Sequence, residues 1–203
     1  MPFVPAAPWA CTDDLALGQK PARPAPPERA EPLPLAAWLQ TLAPGPALAL
    51  WLDGVGNPHN FGAILRSAAH FGAAAILLPD TATLALSGVR RRRARGRRRR
   101  RGGAEAVPLV RLPPAEQALA QLRAAGFALA ATLVDGGADV FAAALPPRLV
   151  YVMGAEREGM DRGFAQACEL RLSIPGSGAV ESLNVAAATA MLLGAWRSRV
   201  AAS

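Results

Sequence analysis

The chain has 203 residues, which favours one domain with a tail. A hydrophobic content of 52% against 18% charged residues excludes a wholly disordered chain, and with aromatics at 5%, Ala, Leu and Val must fill the core. The net charge of +7 is local: ten of the 22 basic residues lie between positions 90 and 101, and the twelve others face 15 acidic ones, which favours one polyanion contact over a uniformly basic surface.

Residues 1–46 hold 11 of the 19 prolines. Proline at that density blocks sheet ladders and helix interiors, so a largely disordered tail is predicted, with a short helix available at 35–42. From residue 47 to 203 the texture is that of a folded domain. Residues 47–53 form an apolar run, predicted to be a buried strand. Asn60 is placed to cap a helix whose apolar stripe is Phe61, Ile64, Leu65, Ala68 and Ala69, and which Gly72 ends. A strand follows at 73–79, then an arginine-rich loop at 88–103 and a strand at 106–112. Residues 114–125 read as a helix with Pro at its start and Gly126 past its end. Strands are predicted at 127–134, 148–153 and 170–174, a short helix at 161–169 and a long apolar helix at 182–200. Continuous apolar strands alternating with helices are the pattern of an α/β fold, a mostly parallel sheet flanked by helices on both faces.

The two cysteines, Cys11 and Cys168, build no disulfide framework and have no zinc-ligand spacing. No metal is expected, and a reducing compartment, the cytoplasm, is the simplest reading. The first residues lack a basic segment and carry prolines at 2, 5 and 8, unlike a signal peptide. Residues 32–52 are uncharged and just long enough to cross a bilayer, but their four prolines argue against a membrane helix.

Parallel α/β sheets bind ligands outside the carboxyl ends of their strands. Three loops rich in Gly with Asn, Ser or Glu follow predicted strands, at 53–62, 154–159 and 174–184. They fit the familiar glycine motifs poorly. A dinucleotide fingerprint from Gly54 meets His59 where Gly is needed, and no phosphate-binding G-x-x-x-x-G-K-[ST] exists, Lys20 being the only lysine. There is no G-x-S-x-G elbow and no H-E-x-x-H.

In order and spacing, these segments resemble the three motifs of the SpoU (TrmH-like) branch of the SPOUT RNA methyltransferases. Asn60-Phe-Gly-Ala-Ile-Leu-Arg66 resembles the first, Met153-Gly-Ala-Glu-Arg-Glu-Gly-Met160 the second, and Ile174-Pro175 followed by Ser182-Leu-Asn-Val185 the third. The resemblance covers roughly residues 47–202. It implies the SPOUT fold, an α/β domain with a C-terminal trefoil knot, which sequence physics would not foresee because true knots are almost absent among folds. It also implies S-adenosyl-L-methionine as donor, a ribose 2′-hydroxyl of tRNA or rRNA as acceptor, and a homodimer.

Methyl transfer from a sulfonium to an oxygen needs no metal; the protein must align donor and acceptor and help the hydroxyl lose its proton. Arg66 lies off the apolar stripe and shares a face with His59 and Gly62. A lone helix arginine is ordinarily solvated or ion-paired; the motif context favours function. Family proposals make this arginine assist deprotonation, but a guanidinium is a poor base. A grip on the RNA phosphate that orients the ribose fits better, the proton leaving through that phosphate or water. Asn60 is either a helix cap or an active-site group. Glu156 is either a solvated loop carboxylate or, by resemblance, an organiser of the pocket through hydrogen bonds. Ser182 precedes the long helix and can cap it; by resemblance Ser182 and Asn184 lie near the methyl-transfer centre. The same resemblance assigns Gly154, Ile174 and Leu183, with Met153 and Pro175, to cofactor binding.

Gly176 stands where the family usually has Met, and the first 46 residues do not resemble the compact RNA-binding domain that most members carry. The arginine run reads either as a self-repelling solvated loop or as an arm that tracks phosphates without reading sequence. Two readings follow: an RNA 2′-O-methyltransferase, or a catalytically inactive RNA-binding protein that keeps the fold.

Overall fold

The computed structural model describes residues 31–79, 107–154 and 162–200. Its centre is an eight-stranded sheet in which every pairing is parallel. In chain order the elements are β1 (Leu33–Pro34), α1 (Leu35–Gln40), β2 (Ala47–Leu52), α2 (Pro58–Phe71), β3 (Ala75–Leu78), β4 (Leu109–Arg111), α3 (Ala115–Ala124), β5 (Ala128–Leu133), β6 (Ala138–Asp139), β7 (Arg148–Met153), α4 (Arg162–Ala167), β8 (Leu170–Ser173) and α5 (Val185–Val200). The spatial order of the strands is β1-β4-β3-β2-β7-β5-β8-β6.

Strand β2 shows why the sheet is buried on both sides. All six of its residues are buried. Leu48, Leu50 and Leu52 point to one face, where they join Phe61, Ile64 and Leu65 of α2 and Leu192, Leu193 and Trp196 of α5. Ala47, Ala49 and Trp51 point to the other, where they join Trp38 of α1, Leu119 and Leu122 of α3 and Ala165 of α4. Strand alternation thus sends two hydrophobic sets into two helical layers.

Residues 33–40, read from the sequence as part of a proline-rich tail, contribute an edge strand and a helix. Leu33 and Pro34 pair with Val110 and Arg111 of β4. Proline is tolerated there because an edge strand can spare an N–H. Leu35 and Trp38 are buried, so the apolar content of this stretch outweighs its prolines. Arg148 closes the same region: its guanidinium donates to the carbonyls of Ala43, Gly45 and Ala125 at 2.7–3.0 Å. Residues 1–30 and the arginine run lie outside the described residues.

Both long helices start differently from the sequence expectation. The cap of α2 is Asn57, not Asn60; its side chain accepts from the His59 N–H at 2.9 Å. Pro58 explains the shift, since its missing N–H and fixed φ suit the first helical position. The cap of α5 is Asn184, not Ser182: its Oδ1 accepts from the N–H groups of Ala186 (2.9 Å) and Ala187 (3.4 Å). Gly72 ends α2 in the left-handed region, φ 74°, as its position suggested.

Candidate functional site

The register fixes which loops meet. At the carboxyl edge, Leu52 of β2 lies beside Met153 of β7, Met153 beside Thr132 of β5, and Thr132 beside Leu172 of β8. The three glycine-rich loops therefore leave neighbouring or next-neighbouring strands on one edge. The Asp53 N–H donates to the Met153 carbonyl at 3.0 Å, tying the first loop to the root of the second.

The first and third motifs meet directly. The Asn184 side-chain Nδ2 donates to Asn60 Oδ1 at 3.1 Å, across 124 residues of chain. Asn60 is at the third position of α2, whose cap is Asn57. Asn184 accepts from the first turn of α5 with its oxygen and donates to Asn60 with its nitrogen, so one amide joins two helix starts. Arg66 is exposed further along α2, and among the described residues it makes no ion pair.

The residues assigned to the cofactor fall on the same edge. Met153 is buried, and the Thr132 hydroxyl donates to the Val152 carbonyl at 2.8 Å and lies 3.4 Å from the Met153 sulfur. Gly154 and Ile174 are half-buried, whereas Pro175 and Ser182 are exposed. Leu183 is 47% exposed and Val134, just past β5, is 64% exposed, so apolar side chains flank the edge. Glu156 lies outside the described residues.

Sequence reasoning missed one loop. Because β5 lies between β7 and β8, residues 134–137 emerge between the second and third motifs. The Gly137 N–H donates to Ser173 Oγ at 2.9 Å, and a Cβ there would lie 2.5 Å from the Leu172 carbonyl carbon. This close approach holds the end of β8 in place. The signal was present in Asp135-Gly136-Gly137 directly after a predicted strand.

Among the described residues, no group of three or more His, Cys, Asp or Glu can hold a metal ion. Burial pushes the Cys168 thiol up to about 11, and neighbouring Glu169 adds to the shift, so at neutral pH it is an inert thiol. Among the described residues, no helix is long and apolar enough to cross a membrane.

Comparison with known proteins agrees with this arrangement. The profile of the SpoU rRNA Methylase family matches residues 47–194. The chain is 36% identical over 148 residues to the 23S rRNA (guanosine-2'-O-)-methyltransferase RlmB of Pseudomonas putida, covering 73% of this chain and 57% of that one. It is 37% identical over 147 residues to the uncharacterized tRNA/rRNA methyltransferase YfiF of Escherichia coli O157:H7, covering 72% and 41%. The chain thus spans about half the length of these curated relatives. Among solved structures, an AdoMet-bound rRNA methyltransferase from Sinorhizobium meliloti superposes with a TM-score of 0.67 at 29% identity, covering 85% of this chain and 62% of that one. The matched profile and the similarity to these relatives lead to one conclusion: this chain belongs to the SpoU rRNA methylase family.

Proposed function

We propose that the protein transfers a methyl group from S-adenosyl-L-methionine to a ribose 2′-hydroxyl of tRNA or rRNA, in the cytoplasm and as a homodimer. The observation that carries the reading is the Asn184–Asn60 hydrogen bond, which joins two of the three motifs on the sheet edge where β7 presents the other. The names of the relatives, a 23S rRNA (guanosine-2'-O-)-methyltransferase and an AdoMet-bound rRNA methyltransferase, support it.

The side chains present fit the cofactor. Exposed Leu183 and Val134 offer apolar cover for an adenosine, and glycine at 154 lets backbone approach it. Met153, Ile174 and Pro175 complete the cradle. When bound, S-adenosyl-L-methionine supplies an electrophilic methyl group on a sulfonium. The chain does the rest. Asn60, held by Asn184, fixes one side of the acceptor. Arg66 grips the RNA phosphate and orients the ribose, so that the hydroxyl proton leaves to that phosphate or to water. The motif resemblance adds Glu156 and Ser182 to this set.

Helix α5 supports the dimer. Leu192, Leu193 and Trp196 are buried while Met191 on the outer side is 39% exposed, so the helix is apolar on both faces. The threading of the last third as a knot is part of the same reading. It is supported by the insertion of β7 between β2 and β5, and of β8 between β5 and β6.

Tritium transfer from labelled S-adenosyl-L-methionine to total RNA tests the activity, with mapping of 2′-O-methyl sites in cells with and without the protein. Arg66→Lys is expected to lose most of kcat; full kcat would remove the phosphate grip. RNA binding with neither cofactor binding nor transfer would favour the inactive RNA-binding reading.

A further inference from the structure

A cleft of about 400 Å³ opens at the carboxyl ends of β2, β3 and β4, on the α3 and α4 side of the sheet. That is the face opposite to Asn60 and Asn184, since its wall residues Trp51 and Leu112 belong to the core under α1, α3 and α4. Its size is that of a small-ligand pocket. Trp51 is almost wholly buried and sets the half-buried ring of Phe164 in an edge-on arrangement at 5.1 Å. Pro79, Pro113 and Pro114 line the wall, and their fixed φ keeps it rigid before any ligand arrives.

Two opposite charges stand at the rim. Arg111 and Asp53 are both exposed, and neither side chain has an ion pair or hydrogen bond among the described residues. The combination selects a planar ring with acceptors on one edge and donors on another. Guanine has this pattern, with O6 and N7 for a guanidinium and N1–H and N2–H for a carboxylate. The site is tied to the candidate centre, because the Asp53 N–H donates to the Met153 carbonyl.

The geometry points to a subsite for an unpaired guanine of the substrate RNA, flanking the nucleotide that is methylated. The base stacks on Phe164, Arg111 donates to its O6/N7 edge and Asp53 accepts from its N1/N2 edge. This inference rests on the RNA-methyltransferase reading and extends it: the RNA crosses the sheet edge at Asp53, with its target on one side and a recognised neighbour on the other.

The test uses the full chain and three uridine octamers whose central position holds guanine, adenine or an abasic ribose. Stacking makes the guanine octamer bind about tenfold tighter than the abasic one. Arg111→Ala and Asp53→Asn are expected to erase the preference for guanine over adenine and to leave the Kd for S-adenosyl-L-methionine unchanged. Equal binding of guanine and abasic octamers by the unaltered protein would overturn the subsite while leaving the RNA-methyltransferase reading intact. An adenine octamer as tight as the guanine one would overturn the edge pairing. Loss of cofactor affinity in Arg111→Ala would overturn the assignment to RNA, giving the cleft to the cofactor's adenine instead. Failure of every octamer to bind would overturn the RNA reading itself and the subsite with it.

Discussion

The starts of α2 and α5 are built from the same residue and do different work. At α2, Asn57 accepts from His59 two residues on, and the contact is wholly local. At α5, Asn184 accepts from Ala186 and Ala187, and its remaining donor reaches Asn60 in another helix. Each cap satisfies amides that a helix start leaves unpaired. Only the second also holds a candidate active-site group. An aspartate would cap α5 equally well but has no N–H to give, so the bridge depends on the amide rather than on capping.

The comparison can be broken most sharply at Asn184. Asn184→Asp retains the cap, and suits the positive end of the helix, but sets a carboxylate against Asn60 Oδ1. Methyl transfer is expected to fall about 100-fold, the scale of a misplaced reacting group, with an unchanged thermal midpoint. An unaltered rate would mean that the bridge is only structural.

The same contrast between local and long-range roles holds for two glycines. At Gly137 a Cβ would meet the backbone of Leu172 at 2.5 Å and of Ser173 at 2.7 Å, whereas at Gly72 it would meet nothing within 4 Å. Gly137→Ala is expected to cost about 2 kcal/mol in overpacking. That lowers the thermal midpoint by roughly 6 °C in a chain of this size. Gly72→Ala has only its left-handed φ to strain, about 1 kcal/mol. Equal losses at the two would show that the close approach of 137 is not rigid.

Asn57→Ala removes a cap and nothing else. It is expected to lower the midpoint by about 2–4 °C, from about 1 kcal/mol of capping, with transfer per folded molecule unchanged. A drop in kcat would place the start of α2 in the mechanism.

The smallest effect is expected from Glu169, which links α3 to the start of β8. Burial of its carboxylate opposes ionisation, but hydrogen bonds from the Leu129 N–H and from Arg123 outweigh it and hold its pKa below the ordinary value. A depressed folded pKa contributes stability above the unfolded pKa, and that stability is lost as pH falls through the folded value. Urea unfolding between neutral and acid pH should therefore be slightly flatter for Glu169→Gln. The effect is small because the pair is about two-fifths exposed and screened by solvent.

Much of this was legible along the chain. Strand β7 occupies the predicted 148–153, and most other elements lie within a few residues of expectation. Continuous apolar runs between glycine and proline breaks define such strands without tertiary information. The misreadings have local causes. Asn60 and Ser182 carry capping side chains, yet Asn57 and Asn184 lie where the backbone turns into the helix. The helix expected within 35–42 forms at 35–40, but proline count disguised the edge strand at 33–34 and the core that Leu35 and Trp38 find.

The sequence by itself determined the elements, their alternation, and the glycine-rich loops at the ends of strands. Each of these depends on residues within a turn or a strand of one another. Only the tertiary structure decided that β7 lies between β2 and β5, that residues 134–137 complete the edge, and that Asn184 meets Asn60. Parallel strands are joined by long crossovers, so their neighbours in space are remote in sequence. No local periodicity can encode which strands become adjacent; complementary packing of the two helical layers does.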